Sequence, residues 1–411
     1  MTAAREDPDI LRNLRDRSAA EGGVFWLNDF QLMVADADTA RRVHADNFAD
    51  LTLPDRLADQ IRRRHSTPVS WKQVRTAWLP PLRALTGPGP VRELAGRMTK
   101  ILDYRAGEPV SLVWLAHEVM FRSLVPIVID GLPARDRAWL TRDAIAKLAR
   151  LMNSGTGQDQ TRMQQWRSIA AQVHVGLAVR QEIRGRATGR RPARADLTQP
   201  IAAELLPVLG ADRAMDAVTT VLTAIAGPPG AAASCVMFEL VNQPAWTGPL
   251  TAELAALEPG ELYESGVGCA PVTYRFVREV LRMWTPPLLM TRSVRKPITL
   301  PPISLAVGQQ YLVSPYMVHH DPRHWQKPDT FDPDRWLPGA PHGPAAGQHS
   351  VPFGWPPTAC IGAGIGLLQL VLLCHLLCTR FRIEISDPGA MRMALAAVPL
   401  PLGFNGTITL R

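Results

Sequence analysis

The sequence predicts a mainly α-helical fold with small β-sheets. Helical spacing of apolar residues dominates residues 70–285, whereas short strand-like stretches lie towards the two ends of the chain. The 411 residues are 46% hydrophobic and 20% charged, so the chain can bury a large core. By length alone the chain suggests two or three domains, although large single folds reach this size, and we see no repeat or low-complexity linker.

The elements follow from local patterns. Two short strands are expected at GVFWLND and QLMVADA, and a helix follows near residues 37–46. Residues 294–316 indicate further short strands. The final stretch, LAAVPLPLGFNGTITLR, predicts a hairpin that turns at its Asn-Gly pair. The basic stretch IRGRATGRRPARAD at 183–196 predicts a solvated loop between helices.

Charge and cysteine content narrow the function. A formal charge of +8 favours an acidic partner, and the chain lacks the zinc-finger spacing and recognition-helix pattern of nucleic-acid binders. The apolar run 361–378 is interrupted by Gln369 and His375, which favours a buried core helix over a membrane span. Five cysteines and no signal peptide point to a reducing cytoplasm rather than a disulfide framework.

Polar motifs concentrate in the second half. Glu279 and Arg282 are three residues apart in YRFVREVLRMW, so they share one face of a helix. Arg335 follows in the turn-rich FDPDRW, and one carboxylate could bridge both guanidinium groups. The rigid stretch FGWPPTACIG then places Cys360 just ahead of the long apolar run.

The order of these motifs resembles the cytochrome P450 family, and the resemblance implies a single haem domain over residues 1–411. The resemblance implies haem b as cofactor, Cys360 as the thiolate ligand of its iron, and Glu279, Arg282 and Arg335 as a structural triad. It implies that Trp71 and Arg75 in WKQVR, together with Arg292, bind the haem propionates. The further cofactor-binding residues that it implies in the cysteine loop are Phe353, Thr358 and Gly362.

The chain departs from the family pattern in two places. Thr358 stands where the family often has His or Arg, and Pro356 where a Gly is usual. In the distal helix the stretch is TAIAGPPGAAASC, so that Ala226 and Gly227 match the family and Pro228 follows. Pro229 and Gly230 replace the acid and the alcohol that handle protons, and the prolines should kink or open the helix. We expect that Pro229→Asp with Gly230→Thr would straighten it.

The implied function is oxidation of a small organic molecule, free or carrier-bound, by a cytoplasmic enzyme of specialised metabolism. Electrons would come from an acidic ferredoxin and its reductase, with O2 as oxidant; neither nucleic acid nor membrane is an expected partner. Because the distal pair is missing, atypical chemistry remains an alternative: peroxide-driven oxidation, oxidative coupling or ring closure, or rearrangement. A non-catalytic haem-binding scaffold is a second alternative, although a scaffold has no need of a thiolate.

Overall fold

The computed structural model describes most of the chain. The described residues are 10–47, 50–52, 71–153, 161–258, 260–340, 349–356, 359–395 and 398–411. Their secondary structure is mainly helical with small sheets, which confirms the predicted fold class.

Helices account for most of the described residues. They are α1 (Ile10–Glu21), α2 (Ala37–Asp46), α3 (Trp71–Ala84), α4 (Pro88–Arg105), α5 (Leu112–Val128), α6 (Ala134–Asn153), α7 (Arg162–Ala187), α8 (Leu206–Ala224), α9 (Pro228–Asn242), α10 (Pro244–Ala255), α11 (Glu261–Ser265), α12 (Pro271–Met283), α13 (Pro315–His319) and α14 (Ala363–Thr379). A helical turn at Thr198–Pro200 and a π-helical segment at Ile201–Leu205 lead into α8.

The strands are short. They are β1 (Val24–Asn28), β2 (Gln31–Val34), β3 (Leu51–Thr52), β4 (Pro109–Ser111), β5 (Met290–Val294), β6 (Ile298–Leu300), β7 (Ile303–Leu305), β8 (Gln310–Val313), β9 (Phe381–Ile385), β10 (Arg392–Leu395), β11 (Pro399–Leu402) and β12 (Asn405–Leu410). The predicted strands near the N-terminus, the helix at 37–46 and the strands within 294–316 are confirmed.

The contacts group the chain into two compact units. The first unit is Met1–Thr67, Arg278–Ala363 and Leu395–Pro399. The second unit is Pro68–Val277, Gly364–Ala394 and Leu400–Arg411. The expectation of one domain stays a prediction.

A five-stranded sheet organises the first unit. Its strand order is β1-β2-β8-β5-β3, with β2 and β8 parallel and the other neighbours antiparallel. Apolar side chains of this sheet pack with α2 and with Val351 and Trp355 into one buried cluster. The segment that leads to Cys360 is therefore tied to the core of the sheet.

Helix pairs and a second sheet form the second unit. Helix α5 packs against α9, and α7 packs against both α6 and α8. The three-stranded sheet has the order β4-β12-β9. The basic stretch 183–196 is not wholly solvated as predicted, because Arg186 is buried and binds Asp196 and Glu182.

The predicted hairpin at the C-terminus is wrong. Asn405 and Gly406 lie inside β12, which pairs with β4 and β9 rather than with the preceding strand. A Cβ atom on Gly406 would lie 2.2 Å from the carbonyl oxygen of Glu384, so this glycine serves close strand approach. The turn before β12 contains Gly403, whose φ is +66°.

Two apolar helical stretches bear on membrane association. The run Thr198–Asn242 could cross a membrane by length and composition, but 67% of its apolar window is buried in the protein. The predicted core helix, α14, buries Gln369 within its apolar length. The amide of Gln369 donates to Ser123 Oγ at 2.8 Å and to the Met120 carbonyl at 3.2 Å, which explains a polar side chain there.

Candidate functional site

The cysteine loop closes on itself through backbone hydrogen bonds. Gly354 has a φ of +79°, and its N–H donates to the Val351 carbonyl at 3.0 Å. The N–H of Cys360 donates to the Phe353 carbonyl at 2.7 Å. These bonds fix the position of Cys360 relative to the buried start of the loop. Thr358 lies outside the described residues.

Cys360 differs from the other four cysteines in exposure. Its side chain is exposed, whereas Cys235, Cys374 and Cys378 are buried and Cys269 is partly buried. Burial raises the pKa of Cys378 to about 11 and holds the pKa values of Cys235 and Cys374 well above the usual value. Buried thiols of this kind stay protonated and inert. Cys360 is therefore the cysteine best placed to ligate a metal.

Helix α14 starts directly after the cysteine loop. Gly362 precedes its first residue, Ala363, whose N–H donates to the Cys360 carbonyl at 3.3 Å. The first N–H groups of a helix carry partial positive charge, which stabilises a nearby anion. The predicted helix after the cysteine is thus present.

Glu279 joins the two arginines that were predicted to share it. Its carboxylate, fully buried, accepts from Arg282 Nε at 3.0 Å and Nη2 at 2.8 Å. It also accepts from Arg335 Nε at 3.0 Å. Both guanidinium groups are buried as well, and each donates further to backbone carbonyls of the loop 326–330. The ion triad therefore holds that loop against α12.

Two further donors to Glu279 were not predicted from the sequence. Trp336 Nε1 donates to the carboxylate at 3.0 Å, and the backbone N–H of Asp332 donates at 2.9 Å. Both residues belong to FDPDRW, so the motif from which Arg335 was predicted also contained these two donors. With five donors, the carboxylate has the full set of partners that a buried charge requires.

His319 links the triad to the cysteine loop, and nothing in the sequence pattern singled it out. Its backbone carbonyl accepts from Arg282 Nη1 at 3.0 Å. Its Nε2 accepts from the N–H of Val351 at 2.8 Å, while its Nδ1 meets Thr285 Oγ1 at 2.7 Å. Burial holds the pKa of His319 well below its usual value, so the ring is neutral and Nε2 can accept.

Arg292 lies opposite Tyr311 across the β5–β8 pair. Its guanidinium is partly buried, which lowers its pKa, and it donates to the Thr291 carbonyl at 2.9 Å. Among the described residues no carboxylate forms an ion pair with Arg292, and the buried hydroxyl of Tyr311 finds no hydrogen-bond partner there. Buried charges in proteins are usually paired, so this cation could take an anionic group of a bound ligand.

Two aromatic side chains lie close to Arg292: Tyr311 on the neighbouring strand and His44. His44 lies 5.0 Å from Trp355 and 5.9 Å from Tyr311 between ring centroids. Burial lowers the pKa of His44 to about 4, and the positive charge of Arg292 acts in the same direction. Trp355 belongs to the cysteine loop, so the surroundings of Arg292 and the loop share one packed cluster.

The other predicted propionate ligands lie in α3. Arg75 is partly buried and sits one helical turn after Trp71, as the WKQVR spacing requires. The side chain of Trp71 lies outside the described residues. The haem roles of both residues stay predictions.

The distal stretch is opened, as the two prolines predicted. Helix α8 ends at Ala224, and α9 begins at Pro228 with Gly227 as its N-cap. Pro228 and Pro229 therefore occupy the first two helical positions, where a missing N–H costs no hydrogen bond. Ala226 packs with Phe121 and Ala144 in a small buried cluster.

Comparisons with known proteins place the chain. Residues 218–401 match the family model for cytochrome P450. The solved haem domain of cytochrome P450DA superposes with a TM-score of 0.76 and 18% identity, covering 98% of this chain and 94% of that one. The chain therefore has the fold of a cytochrome P450 haem domain, and 184 of its 411 residues match that family's model. The retinoic acid-bound cyanobacterial CYP120A1 also has a TM-score of 0.76, with 18% identity over 99% of this chain and 95% of that one.

Curated relatives match only part of this chain. Cyclooctatin synthase of Streptomyces melanosporofaciens is 35% identical over 133 residues, which are 31% of this chain and 28% of that protein. Thromboxane-A synthase of Sus scrofa is 36% identical over 107 residues, which are 26% of this chain and 20% of that protein. The match thus spans less than a third of each relative's length.

The described residues fit a haem, the cofactor of this family. Cys360 offers an exposed thiol just before a helix. Among the described residues Arg292 offers a cation without a carboxylate partner, and Tyr311 offers a hydroxyl without a hydrogen-bond partner. A haem presents an iron that takes a thiolate and carboxylates that take such donors.

Proposed function

We propose that this chain is a cytochrome P450, a haem-thiolate oxidoreductase of the monooxygenase type that oxidises a small organic molecule. The observation that carries the proposal is the position of Cys360, which is the exposed one of the five cysteines. It lies at the end of a segment that begins at Val351, whose N–H is hydrogen-bonded to His319. His319 in turn accepts a hydrogen bond from Arg282 of the buried triad. A scaffold protein would not need a thiol fixed in this way.

The chain's own residues divide the work. Cys360 would hold the iron, and the haem, when bound through a thiolate, supplies the activation of O2. Arg292 and Tyr311 would bind a propionate, with Arg75 as the predicted partner of the other. The triad and His319 keep the loop in one position, so the ligand is preorganised rather than ordered on binding.

The remaining components of the reaction belong to the proposal. One oxygen atom of O2 would enter the substrate, and the other would leave as water after taking up two protons and two electrons, the electrons coming from a ferredoxin and its reductase. A net charge of +8 supports an acidic electron donor by electrostatic steering. A free or carrier-bound substrate of specialised metabolism and a cytoplasmic location rest on analogy with the family.

The break between α8 and α9 favours a second candidate function. Neither Pro229 nor Gly230 can pass a proton, and the described side chain beside Gly230 is the buried His117. Chemistry that bypasses the usual proton delivery would suit this segment: peroxide-driven oxidation, oxidative coupling or ring closure, or rearrangement.

The ligand assignment is tested by spectroscopy of the reduced protein with carbon monoxide. We expect the red-shifted Soret band of thiolate ligation in the parent and its loss in Cys360→Ser. Cys269→Ser is the matched control and should keep the band, as should the serine variants of Cys235, Cys374 and Cys378. A normal thiolate band in Cys360→Ser would refute the proposal.

Turnover separates the candidate functions. Substrate-dependent NAD(P)H consumption through a ferredoxin and its reductase, with matching product, supports the monooxygenase. Equal rates with hydrogen peroxide alone support the peroxide-driven alternative. The scaffold is supported if the protein binds haem with a thiolate band and metabolites shift its Soret band, but none of these metabolites is converted with either the ferredoxin system or hydrogen peroxide.

A further inference from the structure

Helix α7 carries apolar side chains on both of its faces. Its inner face is buried, with Ala171, Val175, Val179 and Ile183 directed into the protein. Its outer face has five large apolar side chains that are between 45% and 70% exposed: Met163, Trp166, Ile169, Val173 and Leu177. A surface helix normally presents polar residues to solvent, so this outer face is unusual.

These five residues form one continuous stripe. Their spacing of three or four residues places them on a single face, along about 21 Å of helix at 1.5 Å per residue. Scattered exposed apolar residues are ordinary, but a contiguous row marks an interaction surface. We call Met163, Trp166, Ile169, Val173 and Leu177 the α7 stripe.

A basic groove continues the stripe at its C-terminal end. Leu177 lines it together with Arg180, Arg184, Arg190 and Arg191, and the groove has a volume of about 970 Å³. Arg180 pairs with Asp212, and Arg191 pairs with Glu182. Arg184 and Arg190 are exposed, and among the described residues neither forms an ion pair.

Charge decides what can cover this surface. Helix α7 contains five arginines and one glutamate, which gives a net charge of +4, and its glutamate is buried. A second copy of the chain placed on the same surface would bring like charges together, which costs free energy. A flat anionic membrane would cover the stripe but would not fill a concave groove. An acidic helix with an apolar edge meets both features.

We propose that the α7 stripe and its arginine groove dock an acidic, helical partner protein. Leucine-like side chains of the partner helix would pack on Trp166, Val173 and Leu177, and its carboxylates would bind Arg184 and Arg190. This is the helix-on-groove mode of recognition, with apolar anchors for affinity and charges for orientation. The surface does not involve the thiolate, so the proposal is independent of the proposed function.

The test uses a labelled synthetic probe and the full-length holoprotein. The probe is a helical peptide with leucines at heptad spacing and glutamates elsewhere, and the control peptide has the same composition in scrambled order. Fluorescence anisotropy should show micromolar binding of the probe, at least tenfold weaker binding of the scrambled peptide, and loss of affinity with rising salt.

Variants on and off the surface locate the contact. Val173→Ser and the double change Arg184→Glu with Arg190→Glu should each weaken binding at least tenfold, while the carbon monoxide band stays as in the parent. The matched controls are Val307→Ser, which alters an equally exposed valine, and Arg135→Glu, which alters an exposed arginine of α6. Neither control should change binding more than twofold.

Other occupants give different results. Failure to bind the heptad peptide, or equal weakening by the controls, overturns the proposal. Binding to phosphatidylglycerol vesicles without binding to the peptide assigns the surface to a membrane instead. A dimer in analytical ultracentrifugation that Trp166→Ser dissociates assigns it to a second copy of the chain. An unaltered carbon monoxide band in all these cases leaves the thiolate assignment untouched.

Discussion

A Cβ atom on Gly230 would lie 2.3 Å from Cδ2 of His117. The two residues belong to α9 and α5, which pack closely because position 230 has no side chain. His117 is buried, and its Nδ1 hydrogen-bonds the Val113 carbonyl at 2.9 Å, so the ring has little room to move. The imidazole thus occupies the space that the alcohol side chain would need.

This contact changes what the family-restoring substitutions should do. Pro229→Asp places an acid in the first turn of α9, where it is favourable by about 0.3–1 kcal/mol. Gly230→Thr collides with His117, and because α9 begins after the break, the pair of changes cannot simply straighten the helix. The expectation from the sequence that Pro229→Asp with Gly230→Thr straightens the distal helix is therefore revised.

Gly230→Ala should destabilise the protein by about 1–3 kcal/mol, the usual range for overpacking a core. Thermal unfolding of the holoprotein measures this. Gly96→Ala is the matched control, because Gly96 is exposed in α4 with no atom near its Cβ position, and it should be neutral or slightly stabilising. Adding His117→Ala should recover part of the loss, and no recovery would contradict the proposed collision.

Glu279→Ala should cost about 3–5 kcal/mol, because it leaves two buried guanidinium groups without their carboxylate. Haem occupancy after purification and the urea midpoint report the effect. Glu21→Ala removes an exposed partner of Arg17 and is the control, with a change under about 1 kcal/mol. Parent-like stability and haem content in Glu279→Ala would mean that the triad does not support the site.

Arg292→Gln should weaken haem binding more than Arg292→Lys, since lysine keeps a positive charge near the predicted propionate. A charged hydrogen bond contributes about 1.5–3 kcal/mol, so haem transfer to apomyoglobin should be roughly tenfold or more faster in Arg292→Gln. Arg295→Gln, which alters an exposed arginine just beyond β5, is the control. Equal rates of haem transfer in the parent and in all three variants would show that Arg292 does not contact the haem.

Much of this site was predictable because its residues are close in sequence or lie in compact motifs. Glu279 and Arg282 share a helix, and Arg335 and Trp336 share one turn-rich stretch. His319 and Tyr311 were not predictable, since their roles arise from tertiary contacts with Val351 and with Arg292 across a sheet. The Asn-Gly pair at 405–406 led to a wrongly predicted hairpin turn for the same reason. Gly406 is needed because β9 approaches it closely, and no local sequence pattern indicates that β9 is its neighbour.

The link through His319 gives a separate prediction. His319→Phe keeps ring packing but removes the acceptor for the Val351 N–H, leaving a buried donor unsatisfied at a cost of about 1–3 kcal/mol. The cysteine loop should lose its fixed position, and the carbon monoxide band should broaden or shift partly to the thiol form. Thr285→Val, which removes only the partner of Nδ1, is the control and should affect the band less. An unchanged band in His319→Phe would show that the loop is held independently of this residue.

Buried histidines make stability sensitive to acid. Burial lowers the pKa values of His44 and His117 to about 4 and that of His320 to about 3. The ordinary pKa of histidine is about 6.5, so below that pH these side chains bind protons in the unfolded chain but not in the folded chain. Stability should therefore be fully present above about pH 6.5 and should fall as the pH drops from there towards 4, by up to ~1.4 kcal/mol per pH unit for each histidine.

His44→Phe isolates one of these contributions. Phenylalanine can still pack against Trp355 and Tyr311 but takes up no proton. At pH 7.5 both proteins have neutral rings, so any difference in unfolding free energy there reports packing alone. Between pH 6 and 4.5 the parent should lose stability more steeply than His44→Phe, and the two urea-unfolding curves should converge or cross. Parallel pH profiles would show that His44 is already charged or accessible in the folded protein, and would contradict its burial beside Arg292.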